Sequence, residues 1–321
     1  VLATSYSQID TFLQCPYRWY RLYLKGERKE HTAEALALGG AVHKTLETFF
    51  TARQKGEHIE VAEAKELLKE TMDTYDIPFL SEENQTLATE QHMEMITNLA
   101  ENTGHLAEFT LDKEVIACEK DFIYRMPLDF DVIWDGKIIS EIYIIGSIDL
   151  ILRDQNGSLI AVDFKSGKKI FDGSKLKNNL QLPIYSLVIN DLYKRLPAQT
   201  LYYFTRLDTF QNVEPLSKND QESEIIRFKT GKRAGEIKHQ QKSIDSVHKE
   251  LQDIFRLQYA SGIDAYQSKP TPLCSWCPLG MYEDRSCSNA QQYIRKDLPL
   301  PVGIKNTHKR GNANEHNRMG V

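Results

Sequence analysis

Apolar residues recur at three- and four-residue intervals from the beginning of the chain. Ile9, Phe12, Leu13, Tyr17, Tyr20 and Leu24 form one stripe behind Ser5-Tyr6-Ser7-Gln8, whose spacing is that of a capping box, so a first helix is predicted there. A second is predicted over about Leu38 to Gln54 from Leu38, Val42, Leu46, Phe49 and Phe50, with His43 and Glu47 one turn apart beside the stripe. Helical spacing continues near Ile59 to Tyr75 and near Asn84 to Glu108, separated by Pro78, so residues 55–110 read as a helical insertion. From Glu114 to Lys165 the texture changes to β-branched and aromatic runs broken by Asp135-Gly136 and Asn156-Gly157, which predicts an antiparallel meander. Helix resumes over Asn179 to Leu196, where Pro183 is tolerable only close to the first turn. Strands over Leu201 to Thr205 and Ser223 to Lys229 and a helix over Ile244 to Tyr259 follow. The two periods together predict an α/β domain over residues 1–302, with a cysteine-rich segment at 270–290 and a flexible polar tail at 303–321.

Composition narrows the class. Of 321 residues, 41% are hydrophobic and 26% charged, which is globular composition. Mean hydropathy is −0.47, and apolar runs such as Ile142 to Ile145 fall far short of the roughly 20 residues of a membrane span, so no membrane partner is expected. Val1 to Lys25 lacks the charged-then-apolar start of a secretory leader, which sets a cytoplasmic expectation. The net charge of −5 gives no overall attraction to a polyanion. Locally, six Lys/Arg face one acid between Arg227 and Lys242, and Arg18, Arg21, Lys25, Arg28 and Lys29 follow the first helix; each run is either a phosphate track or a solvated face. No phosphate-binding Gly-x-x-x-x-Gly-Lys-Ser/Thr loop is present, which excludes a nucleotide-driven motor of that type.

The predicted hairpin around Asn156-Gly157 carries acids on both strands, and its turn decides whether they meet. A two-residue turn would put Asp149 and Asp163 on opposite faces. A three-residue loop, Gln155-Asn156-Gly157, pairs Asp154 with Ser158 and so Asp149 with Asp163. Opposed Cβ atoms lie about 4.5 to 5.5 Å apart, where two carboxylates repel unless a cation lies between them, and hard oxygen ligands suit Mg²⁺ or Mn²⁺. Lys165 shares that face, while Ile148, Leu150, Leu152, Ile160, Val162 and Phe164 face the core. A cation that acidifies water beside an ammonium that steadies developing negative charge is a hydrolytic kit.

Five cysteines are present: Cys15, Cys118, Cys274, Cys277 and Cys287. The odd count argues for ligand chemistry over a disulfide framework. Cys274-Ser275-Trp276-Cys277, with Cys287 and the distant Cys15, offers four thiolates for either Zn²⁺ or an iron–sulfur cluster; Cys118, in a strand, reads as a core thiol.

In order along the chain, Gly39-Gly40-Ala41-Val42-His43, Gly146-Ser147-Ile148-Asp149, Val162-Asp163-Phe164-Lys165 and Gln181-Leu182-Pro183-Ile184-Tyr185 resemble the motifs of the PD-(D/E)XK nuclease superfamily in its RecB-like branch, over roughly Ser5 to Cys287. The resemblance implies a restriction-endonuclease-like core, a central mixed sheet flanked by helices. It implies that His43, Asp149, Asp163 and the Phe164 carbonyl bind Mg²⁺ or Mn²⁺, that Lys165 serves the attacking water, and that Gln181 and Tyr185 line the site against DNA. Cys15-Pro16 and Cys277-Pro278 resemble the branch's pattern of one cysteine before the nuclease motifs and three after them, which implies a [4Fe-4S] cluster on Cys15, Cys274, Cys277 and Cys287, although nine residues separate the last two. The function implied is a metal-dependent exonuclease acting on DNA ends or single strands, in repair, recombination or CRISPR adaptation, with a helicase or recombination protein as a possible partner. The competing expectation is a non-catalytic iron–sulfur DNA-binding subunit of a helicase–nuclease complex.

Overall fold

The computed structural model describes residues 1–27, 34–79, 81–227, 229–230, 236–260 and 263–271, together with positions 274, 277, 279 and 287. The predicted tail at 303–321 and parts of both basic runs, including Arg28, Lys29, Lys232 and Arg233, lie outside the described residues. The chain divides into two compact units: Val1–His31 with Pro127–Ile142 and Gln252–Val321, and Thr32–Met126 with Tyr143–Leu251.

The first unit opens with a short strand, β1 (Ala3–Thr4), and helices α1 (Tyr6–Gln14) and α2 (Pro16–Trp19). The Ser5 hydroxyl accepts the Gln8 N–H at 3.4 Å, as the capping box predicts. Pro16 starts α2 directly after Cys15, where its missing N–H costs nothing. Trp19 is fully buried, with the Phe12 and Tyr259 rings edge-on to it at 5.4 Å each.

The second unit begins with helices α3 (Glu34–Gln54), α4 (Val61–Thr74), α5 (Glu82–Ala100) and α6 (Gly104–Thr110). The single helix expected over Asn84 to Glu108 is therefore two. Asn102 (φ +57°) and Gly104 (φ +79°) take the left-handed conformation that ends α5, a break hidden from apolar periodicity because Leu99 and Leu106 keep a two-turn spacing. Strands β2 (Glu114–Trp134), β3 (Lys137–Arg153) and β4 (Leu159–Lys165) form the expected meander. Next come α7 (Gly173–Asn178), α8 (Gln181–Tyr193), β5 (Gln199–Phe204), β6 (Thr209–Val213), a hairpin of β7 (Ile225–Arg227) and β8 (Ile237–Gln240), and α9 (Ile244–Phe255). Strand β6 escapes sequence reading because Thr-Phe-Gln-Asn-Val is mostly polar, as an edge strand can be.

The sheet runs β3-β4-β5-β6 with β2 paired to β3; β4 and β5 are parallel and the other two steps antiparallel. The chain returns from β4 to β5 through α8. This is the expected mixed sheet flanked by helices. One sheet face, including Leu150, Leu152, Ile160, Val162, Phe164, Leu201 and Tyr203, packs into a core with α3 to α6. The other lies under α8, whose residues Leu182 to Ile189 are all buried. No helix among the described residues is long and apolar enough to cross a membrane.

Candidate active site

The turn after β3 sets the acids. Gly157 (φ +78°) donates its N–H to the Asp154 carbonyl at 2.9 Å, and the Asp154 N–H reaches the Ser158 carbonyl at 3.0 Å, closing the three-residue loop. Asp154 Oδ1 fixes it further by accepting the Asn156 and Ser158 N–H groups at 2.9 and 2.7 Å. The β3–β4 register runs from Arg153↔Leu159 to Leu150↔Val162, and continued by one residue it sets Asp149 opposite Asp163, with Asp149 Oδ2 accepting the N–H of the following Phe164. Both aspartates are buried, 5% and 0% exposed.

Four side chains then close a ring. The Lys165 ammonium pairs with Asp163 and donates to Gln181 Oε1 at 2.8 Å; Gln181 Nε2 donates to the Tyr185 hydroxyl at 3.2 Å, which donates to Asp163 Oδ1 at 3.2 Å. Gln181 and Tyr185 reach this position because they stand one turn apart on α8. Asn179 Oδ1 sets the start of that helix by accepting the Gln181 N–H at 2.8 Å, and it also accepts the Tyr202 hydroxyl at 2.7 Å. The Tyr202 ring underlies the Lys165 ammonium at 5.4 Å.

Beside the ring, ligand atoms of His43, Glu119 and Asp149 all lie within 4.8 Å of one another, a set able to hold a metal ion. His43 projects from α3, with Nδ1 3.4 Å from Glu119 and 3.6 Å from Asp149, and its Nε2 meets the Phe164 carbonyl at 3.1 Å. Asp149 Oδ2 accepts the Phe164 N–H at 2.7 Å. The structure thus brings His43, Asp149, Asp163, Phe164, Lys165, Gln181 and Tyr185 together, with Asp163 held by lysine and tyrosine beside the three-residue set. Glu47 pairs with Lys44 at 2.8 Å, as a surface partner should.

Glu119 has no counterpart in the sequence reading. It is one of several acids in an alternating strand, and its reach depends on a left-handed backbone (φ +45°) that nothing in Cys118-Glu119-Lys120 announces. The basic segment after β4 was also missed: between Lys165 and Lys177 five lysines face only Asp172, and Lys168, Lys169, Lys175 and Lys177 are exposed.

The electrostatics describe a site with too much negative charge for its burial. Burial raises the Asp149 pKa, and the Asp163 charge raises it further, against the pull of His43 and Lys165. Burial works against charging His43, yet the Glu119 hydrogen bond and the Asp149, Asp163 and Glu119 charges push its pKa up to about 9. Tyr185 is raised by burial and by both aspartates, which keeps it a neutral donor.

In the first unit, Cys274 and Cys277 pack with Tyr17 against buried Leu279 and Cys287. Burial raises the Cys277 thiol, the Leu279 backbone and Arg18 pull it down, and the Cys15 and Cys274 charges raise it again. Cys118, in the second unit, lies against the main core, its thiol raised chiefly by burial.

The family model described as the PD-(D/E)XK nuclease superfamily matches residues 3–282. No curated protein gives a significant sequence match. Among solved structures, the crystal structure of SSO0001 is similar at 11% identity and a TM-score of 0.36, over 89% of this chain and 87% of that one.

Proposed function

The chain belongs to the PD-(D/E)XK nuclease superfamily, and from that premise we propose that it is a Mg²⁺- or Mn²⁺-dependent deoxyribonuclease of the RecB-like branch, acting as an exonuclease on DNA ends or single strands. The observation that carries the proposal is the closed ring of Lys165, Gln181, Tyr185 and Asp163 beside the His43, Glu119 and Asp149 set. The donors fit a hard divalent ion: carboxylates, a carbonyl and one imidazole, with buried acids whose mutual repulsion a cation would balance. His43, Asp149 and Asp163 with the Phe164 carbonyl would hold it, and Glu119 joins them on geometry. Bound there, the ion would supply Lewis acidity toward a phosphoryl oxygen and lower the pKa of an attacking water. Lys165, fixed by three neighbours, orients that water and faces the negative charge that develops on the phosphate. Gln181 and Tyr185 keep the ammonium and Asp163 in place and border the DNA.

The proposal includes a [4Fe-4S] cluster on Cys15, Cys274, Cys277 and Cys287, supported by the packing of Cys274, Cys277 and buried Cys287 around Leu279 and by the Cys15 and Cys274 charges that raise the Cys277 thiol, which a cationic centre would relieve. Repair or recombination beside a helicase partner is the setting this reading fits.

The test is cutting of end-labelled single- and double-stranded DNA by anaerobically purified protein in Mn²⁺. Cutting is expected to fall at least about 1000-fold in Lys165→Ala and Asp163→Ala, both still folded. Intact protein that leaves both substrates whole, or Lys165→Ala that cuts as well as the parent, would overturn the reading and favour a DNA-holding subunit.

A further inference from the structure

Several buried polar atoms meet no partner among the described residues, and in the unit that carries the four cysteines one of them belongs to a cation: Arg18 Nε. The side chain is half-buried. An arginine stays ionised, so a donor withdrawn from water without an acceptor costs stability unless something anionic completes its surroundings. The other cations of the first helix are differently placed. Arg21 pairs with Glu27 and donates from Nη1 to the Tyr17 hydroxyl at 2.6 Å, and Lys25 is exposed, over the Tyr20 ring at 5.6 Å.

Three features turn Arg18 toward the cysteines. Cys15 caps α2, and Arg18 follows it by one turn on a helix whose roll is fixed by buried Pro16 and Trp19. Tyr17, beside Arg18 in the chain, packs with Cys274 and Cys277 against Leu279 and Cys287. The charge of Arg18 also reaches Cys277: burial raises that thiol, while the Leu279 backbone and Arg18 pull it back toward the thiolate.

The charge of a filled site supplies the missing anion. Four thiolates about a [4Fe-4S] core in its usual oxidised state sum to a double negative charge, which one-electron reduction makes triple. Iron relieves the repulsion among the thiolates, yet the whole remains an anion in half-buried surroundings. We propose that Arg18 is the counter-charge of that cluster, its Nε–H donating to a cluster sulfur; this rests on the iron–sulfur reading above. A fixed cation favours the more negative, reduced state, so Arg18 holds the reduction potential up.

The test is a mediated redox titration of anaerobically purified protein, followed by the visible absorption of the cluster, with iron and sulfide measured alongside. In Arg18→Gln the ratio of reduced to oxidised cluster at a fixed potential should fall about tenfold, a downward shift of about 59 mV for one electron. Arg18→Lys keeps the charge but loses the Nε–H, and should fall by less. Lys25→Gln removes an exposed charge from the same helix and should titrate as the parent does. If Arg18→Gln fails to fold in a thermal melt or holds no iron, Arg18→Lys carries the test: a potential below the parent's supports the donor, and a parental one overturns it. A parental potential in Arg18→Gln, or an equal drop in Lys25→Gln, overturns the assignment and leaves the cluster standing. Parent protein without iron, whether empty or loaded with zinc, overturns the iron–sulfur reading and the assignment with it.

Discussion

Single residues here are constrained for separable reasons. Among the described residues the Glu119 carboxylate makes no hydrogen bond other than that to the His43 ring at 3.4 Å, and its backbone is left-handed. Glu119→Gln keeps the shape and removes the charge; we expect the Mn²⁺ concentration for half-maximal cutting to rise about tenfold or more with the melting temperature little changed. An unchanged Mn²⁺ requirement would remove Glu119 from the site. His92 illustrates a purely structural case. It is fully buried, and burial, despite the Ala88 bond and aided by the Arg206 charge, pulls its pKa from 6.5 down to about 4. The folded state therefore holds His92 neutral while the unfolded chain takes up a proton. Its contribution is complete above pH 6.5 and is lost as pH falls toward 4, on the order of 3 kcal/mol. His92→Gln, compared with the parent by urea unfolding above pH 6.5 and near pH 4, should lose that much less stability across the interval.

At the scale of elements, the β3–β4 hairpin shows how turn chemistry becomes site geometry. Deleting Ser158 keeps the three-residue loop but pairs Asp154 with Leu159, a shift of one residue that moves every side chain of β4 to the other face. Asp163 would then face the core and Phe164 the site. We expect this deletion to abolish cutting and to lower stability by several kcal/mol, read by urea unfolding, since it also exposes residues now buried on both faces. This element was legible in sequence because a glycine at the loop's last position, two acids and strict alternation all agree. The ring on α8 was legible because Gln181 and Tyr185 are one turn apart. What stayed hidden depends on backbone conformation that residue type does not declare: the Glu119 bend, the α5–α6 break at Asn102 and the polar strand β6. The lysines around α7 were present in the sequence, but at 168–177 they follow a motif whose chemistry drew the reading to Lys165 alone. The four exposed ones lie a short way along the chain from Lys165, and a track for phosphates is expected of them. Replacing Lys168, Lys169, Lys175 and Lys177 with glutamine should raise KM and flatten the slope of log KM against log salt by up to about 0.7 per lysine on single strands, without altering the metal requirement. A slope unchanged in the fourfold variant would make those lysines an ordinary solvated surface.

At the scale of the whole molecule, the cysteines concern chain topology more than chemistry at the cut. Cys15 precedes, and Cys274, Cys277 and Cys287 follow, every residue of the unit that holds the acids and Lys165. A cluster gripping all four would close a loop of some 259 residues, and restricting an unfolded chain on that scale is worth about 5 kcal/mol. That is comparable with the entire net stability of an ordinary domain. The Cys277 thiol, raised by burial and by the Cys15 and Cys274 charges, is poorly placed when empty, so a site that would stabilise the loaded protein is expected to weaken it without its metal. Cys15→Ser is the sharpest probe, because it keeps the whole Cys-rich segment while releasing the far end of the loop. Purified anaerobically, this variant should lose most of the iron, sulfide and visible absorption of the parent, and should unfold at markedly lower urea. Zinc in place of iron in the parent would keep the loop closure but replace the cluster. Parent-like iron content in Cys15→Ser would show that the loop is not closed through Cys15, and the ends would then be held by side-chain packing such as that around Trp19 and Tyr17.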